Sequence, residues 1–123
     1  MIEVTEGSAF TIYALDLATG SQPADCPAME FIESLSDPSR KSLVNTLLAH
    51  AQQGPLRNAT RSRGLGNGIF EFKTRQGDRL MFFYYGPRTT ILANGFKKGA
   101  KLREEMRRAE RLRAQLEAEG TDS

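Results

Sequence analysis

The stretch from Gly68 to Phe96, GIFEFKTRQGDRLMFFYYGPRTTILANGF, constrains the fold more than any other part of the chain. Three runs rich in Phe, Tyr, Ile and Thr are separated by two breaker clusters, Gln76-Gly77-Asp78 and Gly86-Pro87-Arg88. Strands joined by short hairpin loops have this spacing. The pattern predicts a three-stranded β-meander.

The flanking segments supply what such a sheet needs to bury a face. Phe10, Ile12 and Ala14 alternate with Thr11, Tyr13 and Leu15, which predicts a fourth strand over 10–15. Asp16 to Asp25 contains Gly20, Ser21 and Pro23 and reads as a loop. A helix is expected to begin near Asp25, whose carboxylate can cap free N–H groups, with Pro27 tolerated in its first turn and Met29, Phe31, Ile32 and Leu35 forming its apolar face. Ser36-Asp37-Pro38 stops that helix and starts a second, in which Leu43, Val44, Leu47, Leu48 and Ala51 recur at helical spacing until Gly54-Pro55. The two are expected to form an antiparallel pair. Leu56 to Asn67 reads as a mobile basic loop. From Ala100 to Glu119, Leu102, Met106, Ala109, Leu112 and Leu116 make a narrow apolar stripe on a charged helix, and Gly120 to Ser123 should fray. The expected class is α+β: a small antiparallel sheet, made of the N-terminal strand and the meander, packed on an N-terminal helix pair, with a C-terminal helix. At 123 residues, one domain over 1–123 is expected, burying roughly two thirds of the surface its unfolded chain exposes.

Charge is distributed unevenly. Residues 1–56 carry two Lys and Arg against seven acids, residues 57–103 carry eleven against Glu71 and Asp78, and residues 104–123 carry four against six. The segment charges are therefore −5, +9 and −2, within a net +2. A basic middle segment points to a polyanionic partner, against the plainer alternative of a basic surface kept for solubility. The single cysteine, Cys26, cannot form an internal disulfide, and no secretory leader or membrane-spanning run is legible, so a cytoplasmic protein is expected.

The meander can be read face by face. Phe70, Phe72 and Thr74 point one way and Ile69, Glu71, Lys73 and Arg75 the other, so one face is expected to be core and the other chemical. A three-residue loop at 76–78 would set Arg75 opposite Arg79, Lys73 opposite Met81 and Glu71 opposite Phe83. A second loop of Gly86 and Pro87 brings Arg79 beside Gly95. The expected result is a basic cup of Lys73, Arg75, Arg79, Lys97 and Lys98, with Glu71, Phe83 and Tyr85 on the same face and Arg61 and Arg63 on the neighbouring loop. Opposed arginines repel, so a sheet that only needed stability would avoid them.

Other chemistry-bearing residues have plainer readings. His50, the only histidine, reads as a surface residue of a helix's last turn, favoured by the negative end of the dipole, rather than as a base. Cys26 reads as an inert thiol rather than a nucleophile. Gly64-Leu65-Gly66 lacks the spacing of a dinucleotide fingerprint, and no GKS or GKT is present. The charged face of the last helix reads as solvated and stitched by pairs such as Glu104 with Arg108.

The order strand, helix pair, basic loop, meander, helix resembles the RelE/ParE superfamily of bacterial toxins, in particular its phage-derived HigB-like branch. The resemblance covers about 10–114. It rests on FIESL (31–35) after a Gly-Ser-Gln-Pro loop, LGNGIFEFK (65–73), DRLMFFY (78–84) and NGFKK (94–98). It implies a toxin restrained by a HigA-like helix-turn-helix antitoxin, which alone contacts promoter DNA, and an activity of cutting mRNA on the ribosome, with no membrane association. Attack of a 2′-OH on the adjacent phosphate needs no metal or cofactor. It needs a proton acceptor, donors for the developing charge and something to hold the bases. On this resemblance Arg79 would clamp the scissile phosphate, Lys73 and Lys98 would stabilise the transition state or protonate the leaving oxygen, and Glu71 is the candidate base. Arg75, Lys97, Arg61 and Arg63 would hold RNA, and Phe83 or Tyr85 would stack on a base. The sheet has no histidine, and the proline that often follows the paired lysines is absent. A ParE-like, non-enzymatic inhibitor of DNA gyrase and a plain RNA-binding regulatory module are the alternatives.

Overall fold

A computed structural model describes residues 1–16 and 25–121. The expected loop around Gly20, Ser21 and Pro23 lies outside them, as do Asp122 and Ser123.

The α+β architecture is as expected, but the sheet is larger. Among the described residues it has six strands: β1 (Ile2–Glu6), β2 (Thr11–Ala14), β3 (Ser62–Gly66), β4 (Ile69–Lys73), β5 (Arg79–Tyr84) and β6 (Thr89–Phe96). Their order is β1-β2-β6-β5-β4-β3. The meander occupies the centre, and β2 runs parallel to β6 while every other pair is antiparallel. The sheet is therefore mixed, not purely antiparallel. The parallel pair follows from connectivity, because β2 reaches β6 through two helices and three further strands rather than through a hairpin.

β3 replaces part of the stretch expected to be a loop, and β1 precedes the first expected strand. β3, Ser-Arg-Gly-Leu-Gly, has little intrinsic strand preference. It is held in register by a two-residue turn at Asn67 and Gly68, with φ of 54° and 75° and Gly66 opposite Ile69. Positive φ at both turn residues is the requirement that Asn-Gly satisfies, and it fits the twist of a hairpin. β1 lies at the sheet edge with much of its surface exposed.

Among the described residues, three helices cover the sheet: α1 (Pro27–Ser34), α2 (Asp37–Gln53) and α3 (Leu102–Thr121). Cys26, not Asp25, holds the N-cap position of α1, with no side-chain capping bond. The Ser36 hydroxyl caps α2 by accepting from the Ser39 N–H, and Gly54 ends it at φ 89°. Arg40 secures the junction, donating to the carbonyls of Ile32, Glu33 and Leu35 and pairing with Asp37.

Alternate residues of the central strands face opposite cores. Phe72, Leu80, Phe82 and Leu92 pack with Ala28 and Ile32 of α1, with Leu35 just after it, and with Leu43, Leu47 and Ala51 of α2. Ile69, Met81, Phe83, Ile91 and Ala93 pack with Ala109 and Leu116 of α3. The division into a core face and a chemical face is thus corrected: α3 covers much of the second face. Unbroken apolar runs such as LMFF in β5 are what burial on both sides demands. Gly95 sits where a Cβ would lie 2.0 Å from the Phe31 ring, so its lack of a side chain sets how closely α1 approaches β6. Val44 and Leu48 of α2, expected on its apolar face, are exposed.

Candidate nucleic-acid interface

The β4–β5 connection determines which cations meet. The Thr74 N–H donates to the Asp78 carbonyl, the Asp78 N–H to the Thr74 hydroxyl, and the Gly77 N–H to the Thr74 carbonyl. The turn therefore spans Thr74–Asp78 rather than three residues, and the register moves with it. Lys73 stands opposite Arg79, and Glu71 opposite Met81. Arg75 lies exposed in the turn and does not oppose Arg79. An irregularity between Leu80 and Phe82 sets Arg79 opposite Phe96, with Gly95 opposite Leu80.

Glu71, expected on an open face, has no exposed surface. Its Oε1 accepts from Arg63 Nε at 2.6 Å and from Arg79 Nη1 at 2.7 Å. These are charge-assisted bonds at the short end of their range. The side chains of Arg63 and Arg79 are 43% and 22% exposed. One buried carboxylate thus fixes two guanidinium groups, and the cluster retains a net positive charge. In this arrangement Glu71 has no exposed surface from which to meet a substrate hydroxyl, and its Oε1 is held by both arginines.

The aromatic expectation also changes. Phe83 is buried against α3 and its ring is not available for stacking, while Tyr85 is half-buried at the edge of the same core. Lys97 and Lys98 are exposed, and the aliphatic stem of Lys98 lies beside Gly77, 3.2 Å from where a Cβ would project. Lys73, Arg79 and Lys98 are therefore gathered around one turn.

On the α2 side, a cleft of about 810 Å³ opens between α2, the loop leading into β3 and the β4–β5 turn. Lys73, Arg75 and Arg61 line it, together with Lys41, Ser42 and Asn45 of α2. Arg61 Nε donates to the Thr46 hydroxyl at 3.3 Å, which orients the guanidinium. The α2 residues were missed by sequence reasoning. Their spacing, 41, 42 and 45 on the polar side of a helix, is the signal that could have found them, although any solvated helix face shows the same spacing. Arg61 and Arg63, expected as neighbours on one loop, project toward different groups, one to the cleft and one to Glu71.

His50 is fully buried rather than superficial. Its ring stacks on Phe10 at 4.8 Å and meets Phe72 and Phe82 edge-on, and Nε2 lies 2.9 Å from the Thr90 hydroxyl. Burial lowers its pKa to about 4. It is a neutral core group with no exposed atom to offer a substrate. Cys26 is half-buried, and burial pushes its thiol up, away from the thiolate form that reacts.

Residues 30–115, well over half of the chain and inclusive of the cleft and the Glu71 cluster, match the sequence profile of the family described as phage derived protein Gp49-like (DUF891). The chain belongs to the Gp49-like family. This is a toxin-like, phage-derived family of the RelE kind, found in toxin–antitoxin systems. Comparison with curated proteins returns no match. Among the described residues of this Gp49-like chain, no helix is long and apolar enough to cross a membrane.

Proposed function

We propose that this Gp49-like protein is the toxin of a type II toxin–antitoxin system, of the HigB-like branch, and that it inhibits translation in the cytoplasm by cutting mRNA on the ribosome. The observation that carries the reading is the gathering of Lys73, Arg79 and Lys98 around one turn of a toxin-family sheet, with Arg79 anchored by a buried carboxylate. In the reaction, the 2′-hydroxyl gives up its proton to solvent water as its oxygen bonds to the adjacent phosphorus, and the bond to the 5′-oxygen breaks as that oxygen takes a proton from a lysine ammonium, leaving a cyclic phosphate and a 5′-hydroxyl. Charge develops on the phosphoryl oxygens and on the departing oxygen. The partly exposed Arg79 guanidinium suits the first, and the ammonium groups of Lys73 and Lys98, gathered with it around the turn, suit the second. Glu71 acts through the arginines it holds. A HigA-like helix-turn-helix antitoxin is the proposed partner and the part that meets promoter DNA.

The test is a translating extract supplied with wild type or Arg79→Ala, followed by mapping of message 5′ ends. New ends are expected with wild type, reduced about 10²–10³-fold in the variant, the usual loss on removing one transition-state donor. Intact messages would overturn the reading. One observation favours a second reading, a ParE-like inhibitor of gyrase: the sheet's carboxylate is buried in an ion pair and the only histidine is a core residue, so neither common base faces outward. Intact messages together with blocked supercoiling by purified gyrase would select it.

A further inference from the structure

Four cations, Lys41, Arg61, Lys73 and Arg75, line the α2-side cleft, and among the described residues no carboxylate contributes to it. Among the described residues none of the four is ion-paired. The rest of the lining is hydroxyl and amide side chains, with Pro38 the one apolar contributor. A protein segment docking in a groove is held by apolar anchors at regular spacing, and this cleft offers none. It offers no aromatic ring for a base to stack on either. Fixed positive charge suits phosphates, and neutral groups such as Ser42, Asn45 and Thr60, which donate and accept, suit a ribose 2′-hydroxyl.

The walls are tied together. The Ser39 hydroxyl in the first turn of α2 bonds both Thr74 and Asp78 of the β4–β5 turn, and the Arg75 N–H donates to the Ser42 hydroxyl at 3.4 Å. Asp78 is engaged by Ser39 and is not among the residues that line the cleft. Lys73 lines the cleft and is also the strand partner of Arg79. We infer that the cleft holds the sugar–phosphate backbone of single-stranded RNA without reading its bases, and that the strand leads past Lys73 to Arg79. The inference deepens the proposed function and rests on it for RNA as the ligand, but binding here needs no cleavage.

The experiment is fluorescence anisotropy of the full chain with a labelled oligoribonucleotide of about 12 nucleotides, away from ribosomes, across a salt series. Lys41 and Arg75 are exposed, so Lys41→Gln/Arg75→Gln leaves the fold intact. This variant is expected to weaken binding about tenfold near 0.1 M salt and to flatten the log–log salt slope by about 1.4, at about 0.7 for each phosphate no longer neutralised. Arg107→Gln/Arg111→Gln on the exposed side of α3 should change binding less than twofold. Changing the base sequence should matter little, and DNA of the same sequence should bind more weakly. Equal losses in both double variants, or wild-type affinity in the cleft variant, would overturn the inference, as would equal affinity for DNA. The two readings fail separately. Cleaved messages with an unaffected cleft variant sink the cleft alone, and intact messages with the expected cleft loss sink cleavage alone.

Discussion

Arg79 donates through Nη1 to Oε1 of Glu71 at 2.7 Å, and the acceptor is wholly buried while the donor remains partly exposed. The bond makes the carboxylate an anchor for the cationic surface. Glu71→Gln keeps the shape but removes the charge that two arginines oppose. The expected outcome is a loss of about 2 kcal/mol, below the range for wholly buried pairs because both arginines reach solvent. A lower urea midpoint with an unchanged slope would register it, and an unchanged midpoint would refute the anchoring role.

His50 makes stability depend on pH. Its folded pKa of about 4 lies below the ordinary value of 6.5. Between these values the unfolded chain binds the proton and the folded chain does not, so stability falls as pH falls there. The contribution is complete above about pH 6.5 and is lost progressively towards pH 4, amounting to about 3 kcal/mol. Urea unfolding measured across that window should show the decline. His50→Phe should flatten it, at the cost of leaving the Thr90 hydroxyl without its ring partner.

Gly95→Ala should destabilise by about 1–3 kcal/mol, because the new methyl would occupy the position of the Phe31 ring. Calorimetry of Gly95→Ala, Phe31→Leu and the double variant checks the cause. The double variant should be more stable than the sum of the single losses implies, since the smaller side chain leaves room for the methyl.

Ser39→Ala should loosen the β4–β5 turn from α2. The hydroxyl is buried and bonds to both Thr74 and Asp78, so a cost of about 1–2 kcal/mol is expected. Hydrogen exchange should show faster exchange at the Asp78 and Gly77 amides while β6 stays protected. Uniform protection would mean that the turn is held by its own backbone bonds.

Much of the architecture is legible in the residues. The meander follows from breaker clusters between aromatic runs, and the α2 boundaries follow from Ser36-Asp37-Pro38 and Gly54-Pro55, because cap and turn chemistry acts locally. β3 is the exception: Asn67-Gly68 is a strong hairpin signal, but the glycines and arginines around it have the composition of a loop. The site is only partly legible. Lys73, Arg79 and Lys98, all expected in the basic cup, do lie around one turn. The pairing that would have joined Arg75 to Arg79 depends on loop length, and a turn two residues longer displaces the facing partners by two positions.

By itself the sequence determined the class of fold, the order of its central elements and the concentration of positive charge in the middle of the chain, because periodicity, turn residues and charge are properties of neighbours. Tertiary structure alone decided that α3 covers the second face, that Glu71 and His50 are buried, and that Lys41 joins Arg61 and Arg75 across a cleft. These outcomes depend on contacts between residues far apart in sequence. A carboxylate or an imidazole becomes exposed or enclosed according to which distant helix closes over its strand, and no local pattern at positions 50 or 71 encodes that choice.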